Sequence, residues 1–173
     1  MGTPQEILQR YRDTVPVPVV DVARDLGLQV FMTSGLEPEE SGSIRKEGES
    51  YIIYVNEKHH YKRKRFTIAH EIAHFLKHRD LLDRGAELID VAKREADVPA
   101  EMFRVRGREV TEDDRRIERE ADHLAAEILM PEASFREVWE KSTTVEEVAD
   151  AFEVSSMAAS IRAKEVLDLD PVA

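Results

Sequence analysis

The sequence has 173 residues, enough for one domain with a sizeable hydrophobic core. Cysteine is absent, which excludes disulfide bonds and cysteine-ligated zinc sites. The formal net charge of −11, from 25 basic and 36 acidic residues, opposes non-specific binding to nucleic-acid phosphates. The first residues, MGTPQEILQRYRD, lack the basic-then-apolar pattern of a secretory signal, and no apolar run approaches the roughly 20 residues that span a membrane. We therefore expect a cytoplasmic protein without membrane contact, whose charged partner, if it has one, is basic.

The first segment, from Pro4 to Leu26, predicts one or two helices that end at Gly27. Three short stretches rich in β-branched and aromatic residues follow and predict strands: LQVFM, GSIRK and SYIIYVN. Because no connection is long enough for a crossover helix, we expect a small antiparallel sheet of about three strands. From Lys62 onward the pattern is almost wholly helical. The predicted fold class is α+β, with the sheet packed against a mostly helical core.

The stretch RFTIAHEIAHFLKH, residues 65–78, predicts a buried helix with three histidines and one glutamate. His70 and His74 project from one helix face about 6 Å apart, a distance that two imidazoles can close on one metal ion. This is the HExxH spacing, and zinc accepts imidazole nitrogens in tetrahedral geometry. Glu71 lies beside them, where its carboxylate can take a proton from a metal-bound water. The plainer interpretation is hydrogen-bonded core histidines, but the apolar run around them favours a metal site.

A third ligand is needed, and one candidate on the same segment is Asp80, six residues after His74. That arrangement needs a turn-making glycine at the position of Lys77. Because lysine gives the chain no reason to leave the helix, we expect the helix to run past Asp80 and keep it from the metal. His78 lies one turn along the same face, where we expect it to line the cleft rim or cap the helix C-terminus.

The better candidate lies in TEDDRRIEREADHLAAEILMP, which predicts a helix between Thr111 and Pro131. With residues placed about 100° apart, Glu118 is the acidic residue nearest the apolar face, which predicts it as third ligand. Asp122 stands one turn further on the same flank, where it can accept the free N–H of a ligating histidine and fix its tautomer. The alternative is that both acids belong to a solvated charged face, as most glutamates on such helices do.

The C-terminal residues 142–173 have the rhythm of a helix-turn-helix and are predicted to form an appendage packed on a domain of residues 1–141. A DNA-binding regulator with a metal-stabilised core would also fit this pattern. Its second helix offers only Arg162 and Lys164 beside Glu165, fewer basic side chains than phosphate positioning needs. Direct DNA binding is therefore not expected, and a packing or protein-docking role is favoured.

Together, RFTIAHEIAHFLKH and the later EREADHLAAEILMP resemble the ImmA/IrrE family of metallopeptidases, relatives of the thermolysin-like zincins. The resemblance extends from about Pro16 to Trp139 in the order of elements. It implies a zincin-like core that binds Zn²⁺. The interval from His74 to Glu118 is longer than the resemblance implies, and we expect its stretch 81–110 to form an added helix or a lid over the cleft.

The resemblance also implies roles for individual residues. His70 and His74 match the histidine ligands, Glu71 the general base and Glu118 the third ligand. Asp122 stands where the family more often has asparagine, and its supporting role agrees with the wider zincin pattern.

Members of this family are implied to be intracellular endopeptidases that cut helix-turn-helix repressors, so the implied substrate is a DNA-binding repressor. A peptidase of this mechanism also needs a donor that stabilises the oxyanion of the tetrahedral intermediate. The sequence offers several candidates and does not choose among them: Tyr54, Tyr61, His59, His60 and His123. Ordinary packing is the plainer interpretation of each.

Two other functions stay open at this level. The first is a non-catalytic regulator that binds a repressor, an antitoxin or DNA through a zinc-stabilised fold. The second is a toxin whose activity a neighbouring antitoxin holds in check, because the same chemistry would serve it. Salt-dependent retention on DNA would favour the regulator, and growth arrest on expression would favour the toxin.

Overall fold

The computed structural model describes residues 2–91, 104–105 and 111–168. Within these ranges the chain forms eight helices and five strands. The helices are α1 (Pro4–Tyr11), α2 (Val19–Asp25), α3 (Tyr61–Lys77), α4 (Arg79–Asp83), α5 (Glu112–Leu129), α6 (Glu132–Lys141), α7 (Val145–Phe152) and α8 (Ser156–Leu167). The strands are β1 (Leu28–Thr33), β2 (Glu40–Glu47), β3 (Ser50–Asn56), β4 (Leu88–Val91) and β5 (Arg104–Val105). The predicted α+β class is confirmed.

Local side-chain chemistry sets where several helices begin and end. Thr3 and Thr111 each form a capping box, in which the hydroxyl accepts from the backbone N–H three residues on and that residue's carboxylate accepts from the threonine N–H. Gly27 follows α2 with a φ of 82°, which a residue with a side chain rarely adopts. Pro131 follows α5 and cannot continue the helix. The two N-terminal helices and the helix between Thr111 and Pro131 are as predicted.

The strands form one sheet in the order β1-β3-β2-β4-β5. β2 and β3 are an antiparallel hairpin, whereas β1 pairs with β3 in parallel. The sequence predicted an antiparallel sheet, and this pair differs because the crossover between the two parallel strands is β2 itself. Since β2 lies on the far side of β3, no crossover helix is needed.

The sheet also has more strands than the three predicted. β4 pairs antiparallel with β2, and β5 pairs antiparallel with β4. Both fall after Lys62, where an almost wholly helical pattern was predicted. Leu88–Val91 has only four residues, too few for an alternating pattern to be recognised. The stretch predicted as an added helix or lid thus supplies two strands and the end of α4, and its residues 92–103 and 106–110 lie outside the described ranges.

Helix α3 occupies the centre of the fold. It contacts β2, β3 and β4 of the sheet, and also α2, α4 and α5. Every residue from Thr67 to Phe75 is buried, which confirms the prediction of a buried helix. The core cluster around it also takes in side chains from the sheet and from the helices of the C-terminal half: Ile44, Ile53, Val55, Ala125, Leu129, Phe135, Phe152 and Ala159. The division into residues 1–141 and 142–173 stays a prediction.

Strand β2 approaches α3 most closely at Gly42. A Cβ atom there would lie 2.5 Å from Thr67 Cγ2 and 2.6 Å from the carbonyl oxygen of Tyr54. Both distances are shorter than van der Waals contact, and the carbonyl belongs to a backbone that cannot turn aside. The register of β2 also shifts between Glu40 and Gly42. The absence of a side chain at Gly42 therefore lets the sheet seat against the buried part of α3.

We predict that Gly42→Ala destabilises the protein by about 1–3 kcal/mol, because the new methyl group forces β2 away from α3. Gly35→Ala is the matched control, since its Cβ would meet only Thr33 Oγ1, at 3.4 Å. The control is expected to change the free energy of unfolding by less than about 1 kcal/mol. Urea unfolding of both variants measures the difference, and equal losses would contradict this account of Gly42.

Candidate metal centre

His70 and His74 lie on one face of α3, one turn apart, and both are buried. Their Nε2 atoms are 3.0 Å from each other. The four-residue spacing therefore brings the two imidazoles together, and the apolar residues on either side of them in α3 bury the pair.

Glu118 reaches the same point from α5. Its Oε2 lies 3.1 Å from His70 Nε2 and its Oε1 lies 2.8 Å from His74 Nε2. The capping box at Thr111 fixes the start of α5, and the buried face of that helix, which includes Ala121, packs Glu118 towards α3. One carboxylate and two imidazoles from two helices thus converge on one small volume.

The electrostatics of this cluster keep a negative charge on Glu118. Burial alone would raise the pKa of Glu118, but the adjacent His70 and His74 outweigh it and lower that pKa to about 2. Burial likewise opposes protonation of His70, yet Glu118 and Asp122 raise the pKa of His70 well above its usual range. For His74 burial prevails, and its pKa is lowered. The carboxylate therefore favours a positive charge between itself and the two imidazoles.

The donor set fits a divalent metal ion. One donor atom from each of His70, His74 and Glu118 lies within 4.8 Å of the other two. Three ligands held tetrahedrally at 2.0–2.1 Å from one ion are separated by roughly 3.3 Å. The two Nε2 atoms are 3.0 Å apart, and the two oxygens of Glu118 lie 3.1 Å from His70 and 2.8 Å from His74, all within about half an ångström of that spacing. Small outward movements of the side chains would admit the ion.

Glu71 is the most unusual group beside this cluster. It is 0% exposed, and neither of its carboxylate oxygens has a hydrogen-bond partner among the residues that the structure describes. Burial raises the pKa of Glu71 well above its usual range, and the carboxylates of Asp90 and Glu118 raise it further against the opposing effect of His70. A buried, unpaired carboxylate costs stability, so its presence next to metal-type ligands points to a chemical role.

Asp122 lies 3.0 Å from His70 Nδ1, on the side of the ring away from Glu118. The structure thus places it where a partner that orients the ligand would stand, and this role stays a prediction. Nδ1 of His74 has a partner that the sequence did not predict, since it lies 3.1 Å from Nδ1 of His78.

The alternative third ligand, Asp80, is exposed and pairs loosely with Arg84 at 3.9 Å. The expectation that the helix runs past it was wrong, because α3 ends at Lys77 and a separate short helix, α4, begins at Arg79. The backbone turns at His78, which has φ −126° and ψ 27° and is the C-cap of α3. Of the two positions predicted for His78, the helix cap is the one found.

The residues named as candidate oxyanion donors have other neighbours. Tyr54 donates a hydrogen bond to Glu47 and stacks on Phe31. Tyr61 begins α3, nine residues before His70, and its ring contacts that of His60 at a tilt of 45°. None of these contacts involves His70, His74 or Glu118.

The histidines among those candidates are also engaged elsewhere. His123 is exposed on α5, 3.3 Å from Glu165 and 3.6 Å from Glu127. Nε2 of His59 lies 3.1 Å from the carbonyl oxygen of Pro38. Which group stabilises an oxyanion stays open.

A comparison with protein families decides the affiliation. The model of the IrrE N-terminal-like domain, a peptidase family, matches residues 23–164. The chain belongs to this family. The match confirms the resemblance drawn from the HExxH helix and α5, and it extends that resemblance through most of α8. No curated protein is significantly similar in sequence to this IrrE-like chain.

Among solved structures, a Mycobacterium tuberculosis transcriptional regulator resembles the IrrE-like chain with a TM-score of 0.59 and 13% sequence identity. The similarity covers 93% of this chain and 46% of the regulator, so the chain spans about half of that protein. At this identity the likeness is one of fold. Among the described residues, no helix combines the length and the apolar character needed to span a bilayer.

We predict that Glu71→Gln stabilises the metal-free protein. The pKa of Glu71 is raised in the folded state, so the folded state resists ionisation and loses stability as the pH rises above the unfolded value. Glutamine does not ionise and so avoids that loss. The gain in the free energy of unfolding is therefore smallest at and below about pH 4.5 and grows to about 1–3 kcal/mol at neutral pH. Urea unfolding in the presence of a chelator, at several pH values, measures it.

Glu49→Gln is the control for this experiment, because Glu49 is exposed in the turn between β2 and β3. The free energy of unfolding of Glu49→Gln is expected to stay within about 0.5 kcal/mol of the wild-type value at each pH. If Glu71→Gln does not stabilise the metal-free protein at neutral pH, the carboxylate of Glu71 has a stabilising partner and is not unpaired.

Proposed function

We propose that the protein is a cytoplasmic zinc-dependent endopeptidase that cleaves a helix-turn-helix repressor and so derepresses mobile-element or stress genes. The observation that carries this proposal is the convergence of His70, His74 and Glu118 beside the buried, unpaired carboxylate of Glu71. The three ligands by themselves would also suit a metal ion that only stabilises the fold. The additional unpaired acid supports a hydrolytic site, where a proton acceptor is required.

Zinc is the metal proposed because it accepts two imidazoles and one carboxylate in tetrahedral geometry and leaves a fourth position open. When bound, it would polarise the scissile carbonyl and lower the pKa of a water molecule. In this proposal His70, His74 and Glu118 hold the ion, and Asp122 orients the ring of His70.

Glu71 is the proposed general base. It would take a proton from the attacking water and then deliver that proton to the nitrogen of the leaving amine. In the metal-free protein burial raises the pKa of Glu71, and a carboxylate with a raised pKa accepts a proton more readily. Its burial keeps the carboxylate from bulk water, which would compete for the same hydrogen bonds.

Two observations support a protein substrate over direct DNA binding. Residues 111–168 contain sixteen acidic and seven basic side chains, which favours a basic partner such as a DNA-binding domain. In α8, Arg162 is only 4% exposed and donates to the carbonyl oxygen of Met130 and to Glu165, so it is not free to contact phosphate. The name of the structurally similar transcriptional regulator agrees with a role in gene regulation.

The direct test is to mix the zinc-loaded protein with the helix-turn-helix repressor encoded nearest its gene and to follow intact masses over time. The wild type is expected to cut the repressor at one bond. Glu71→Gln is expected to bind zinc as the wild type does and to lose cleavage, by at least about a hundredfold, because no other group takes the proton.

The same experiment can contradict the proposal. Hydrolysis retained in Glu71→Gln would remove Glu71 from the mechanism. A stable repressor complex with the wild type and with the variant, and no cleavage by either, would instead favour the binding regulator. Growth arrest on expression of the wild type alone would favour the toxin.

A second prediction concerns the third ligand. Glu118→Ala should weaken zinc binding by more than the roughly 10–100-fold that follows the loss of a partner outside the ligand set. Asp80→Ala is the matched control, since Asp80 is the alternative ligand and lies exposed beside Arg84. Competition with a chromophoric chelator measures both affinities. Unchanged affinity in Glu118→Ala, or a large loss in Asp80→Ala, would mean that the third ligand is assigned wrongly.

A further inference from the structure

The third histidine of the HExxH segment, His78, is buried like the two proposed ligands. It is the C-cap of α3, and its backbone N–H donates to the carbonyl oxygen of His74 at 2.8 Å. Its side chain is buried, with the residue only 6% exposed. An imidazole that served only to cap a helix would not need to leave solvent, so its ring contacts call for a separate explanation.

Both nitrogens of His78 have partners. Nδ1 lies 3.1 Å from Nδ1 of His74, and Nε2 lies 3.2 Å from Oε2 of Glu120 on α5. The chain of contacts therefore runs from the ring of His74 through His78 to a half-exposed carboxylate. Glu120 itself lies near Arg116, at 3.7 Å.

The positions of the protons in this chain follow from the role of His74. Nε2 of His74 faces Glu118 and His70, so a metal held there requires its lone pair and places the ring proton on Nδ1. That N–H donates to Nδ1 of His78, which must accept. The proton of a neutral His78 then lies on Nε2 and donates to Glu120. One arrangement of protons therefore satisfies both ring contacts of His78.

We propose that His78 and Glu120 form a positioning relay that fixes the tautomer and the ring orientation of His74 as a metal ligand. This inference rests on the proposed metal site. The relay is the counterpart, on the second histidine, of the contact between Asp122 and His70. Each imidazole of the site is thus supported by a carboxylate from α5, directly for His70 and through His78 for His74.

The relay is tested by measuring metal affinity in the 173-residue chain. Chelator competition measures zinc affinity, and the visible spectrum of the cobalt-loaded protein reports ligand geometry. His78→Phe keeps a buried ring but has no nitrogen, and it is expected to weaken zinc binding tenfold to a hundredfold, as loss of an outer partner does. Glu120→Gln is expected to weaken it less. Both variants should shift the cobalt spectrum.

A double variant distinguishes a relay from two separate structural effects. Because His78 and Glu120 act in series, adding Glu120→Gln to His78→Phe is expected to weaken zinc binding no further. The matched control is Glu127→Gln, which removes the same charge from α5 beside another histidine, His123, that does not contact the ligands. It should leave zinc affinity within about twofold of the wild type and the cobalt spectrum unchanged.

Unfolding of the metal-free variants separates positioning from folding. A metal-free melting temperature near that of the wild type, with weakened zinc binding, supports the relay. If His78→Phe does not fold, Glu120→Gln remains the test, because Glu120 is half-exposed and its substitution is expected to leave folding intact. The relay would be overturned if Glu120→Gln, and His78→Phe where it folds, kept the zinc affinity and the cobalt spectrum of the wild type. That result would leave the proposed metal site intact. Failure of the wild type to bind zinc or cobalt would overturn the proposed metal site and the relay with it.

Discussion

The contact between α3 and α5 through buried ionisable side chains is the constraint on which the rest of the structure depends. Two imidazoles and a carboxylate lie within hydrogen-bond distance of one another in a protein interior. Removing one partner from such a buried group typically costs about 3–5 kcal/mol, because the charge left behind has lost its solvent. The two helices can therefore shift little relative to each other without a penalty. His70, His74 and Glu118 therefore form the candidate metal site and also hold α3 and α5 together.

The remainder of the fold fixes the position of α3 along its axis. Arg63 donates to both carboxylate oxygens of Asp90 on β4, at 2.9 Å each, and Thr67 donates to Asp90 at 3.1 Å. Arg65 donates to the carbonyl oxygen of Val17, which ties α3 to the N-terminal segment. These bonds lie within two turns of the ligands, on the N-terminal side. They fix the position of α3 relative to the sheet. The position of Glu71 follows from that of the helix, because its own side chain forms no hydrogen bond among the described residues.

The sequence predicts the elements whose signals are local. The period of α3, the cap at Thr111 and the apolar face of α5 suffice to bring Glu118 to the histidines, because each follows from residues within a few positions. The parallel pairing of β1 and the strands β4 and β5 escape prediction, since long-range pairing leaves little trace in four residues. The contacts of His78 with His74 and Glu120 also escape it. Their signal is the four-residue spacing from His74, but the partner Glu120 belongs to a distant helix.

The buried acids of the described residues differ in whether they have a hydrogen-bond partner. Of the buried carboxylates in the described residues, Asp90, Asp114 and Glu118 each have an oxygen within hydrogen-bond distance of a nitrogen, while Glu71 has no such partner. A regulator with a structural metal would need the ligands and their supports, but it would gain nothing from an acid that destabilises the metal-free fold. A peptidase needs that acid, because a base already satisfied by hydrogen bonds accepts a proton poorly. The unpaired carboxylate therefore favours hydrolysis over a purely structural use of the same ligands.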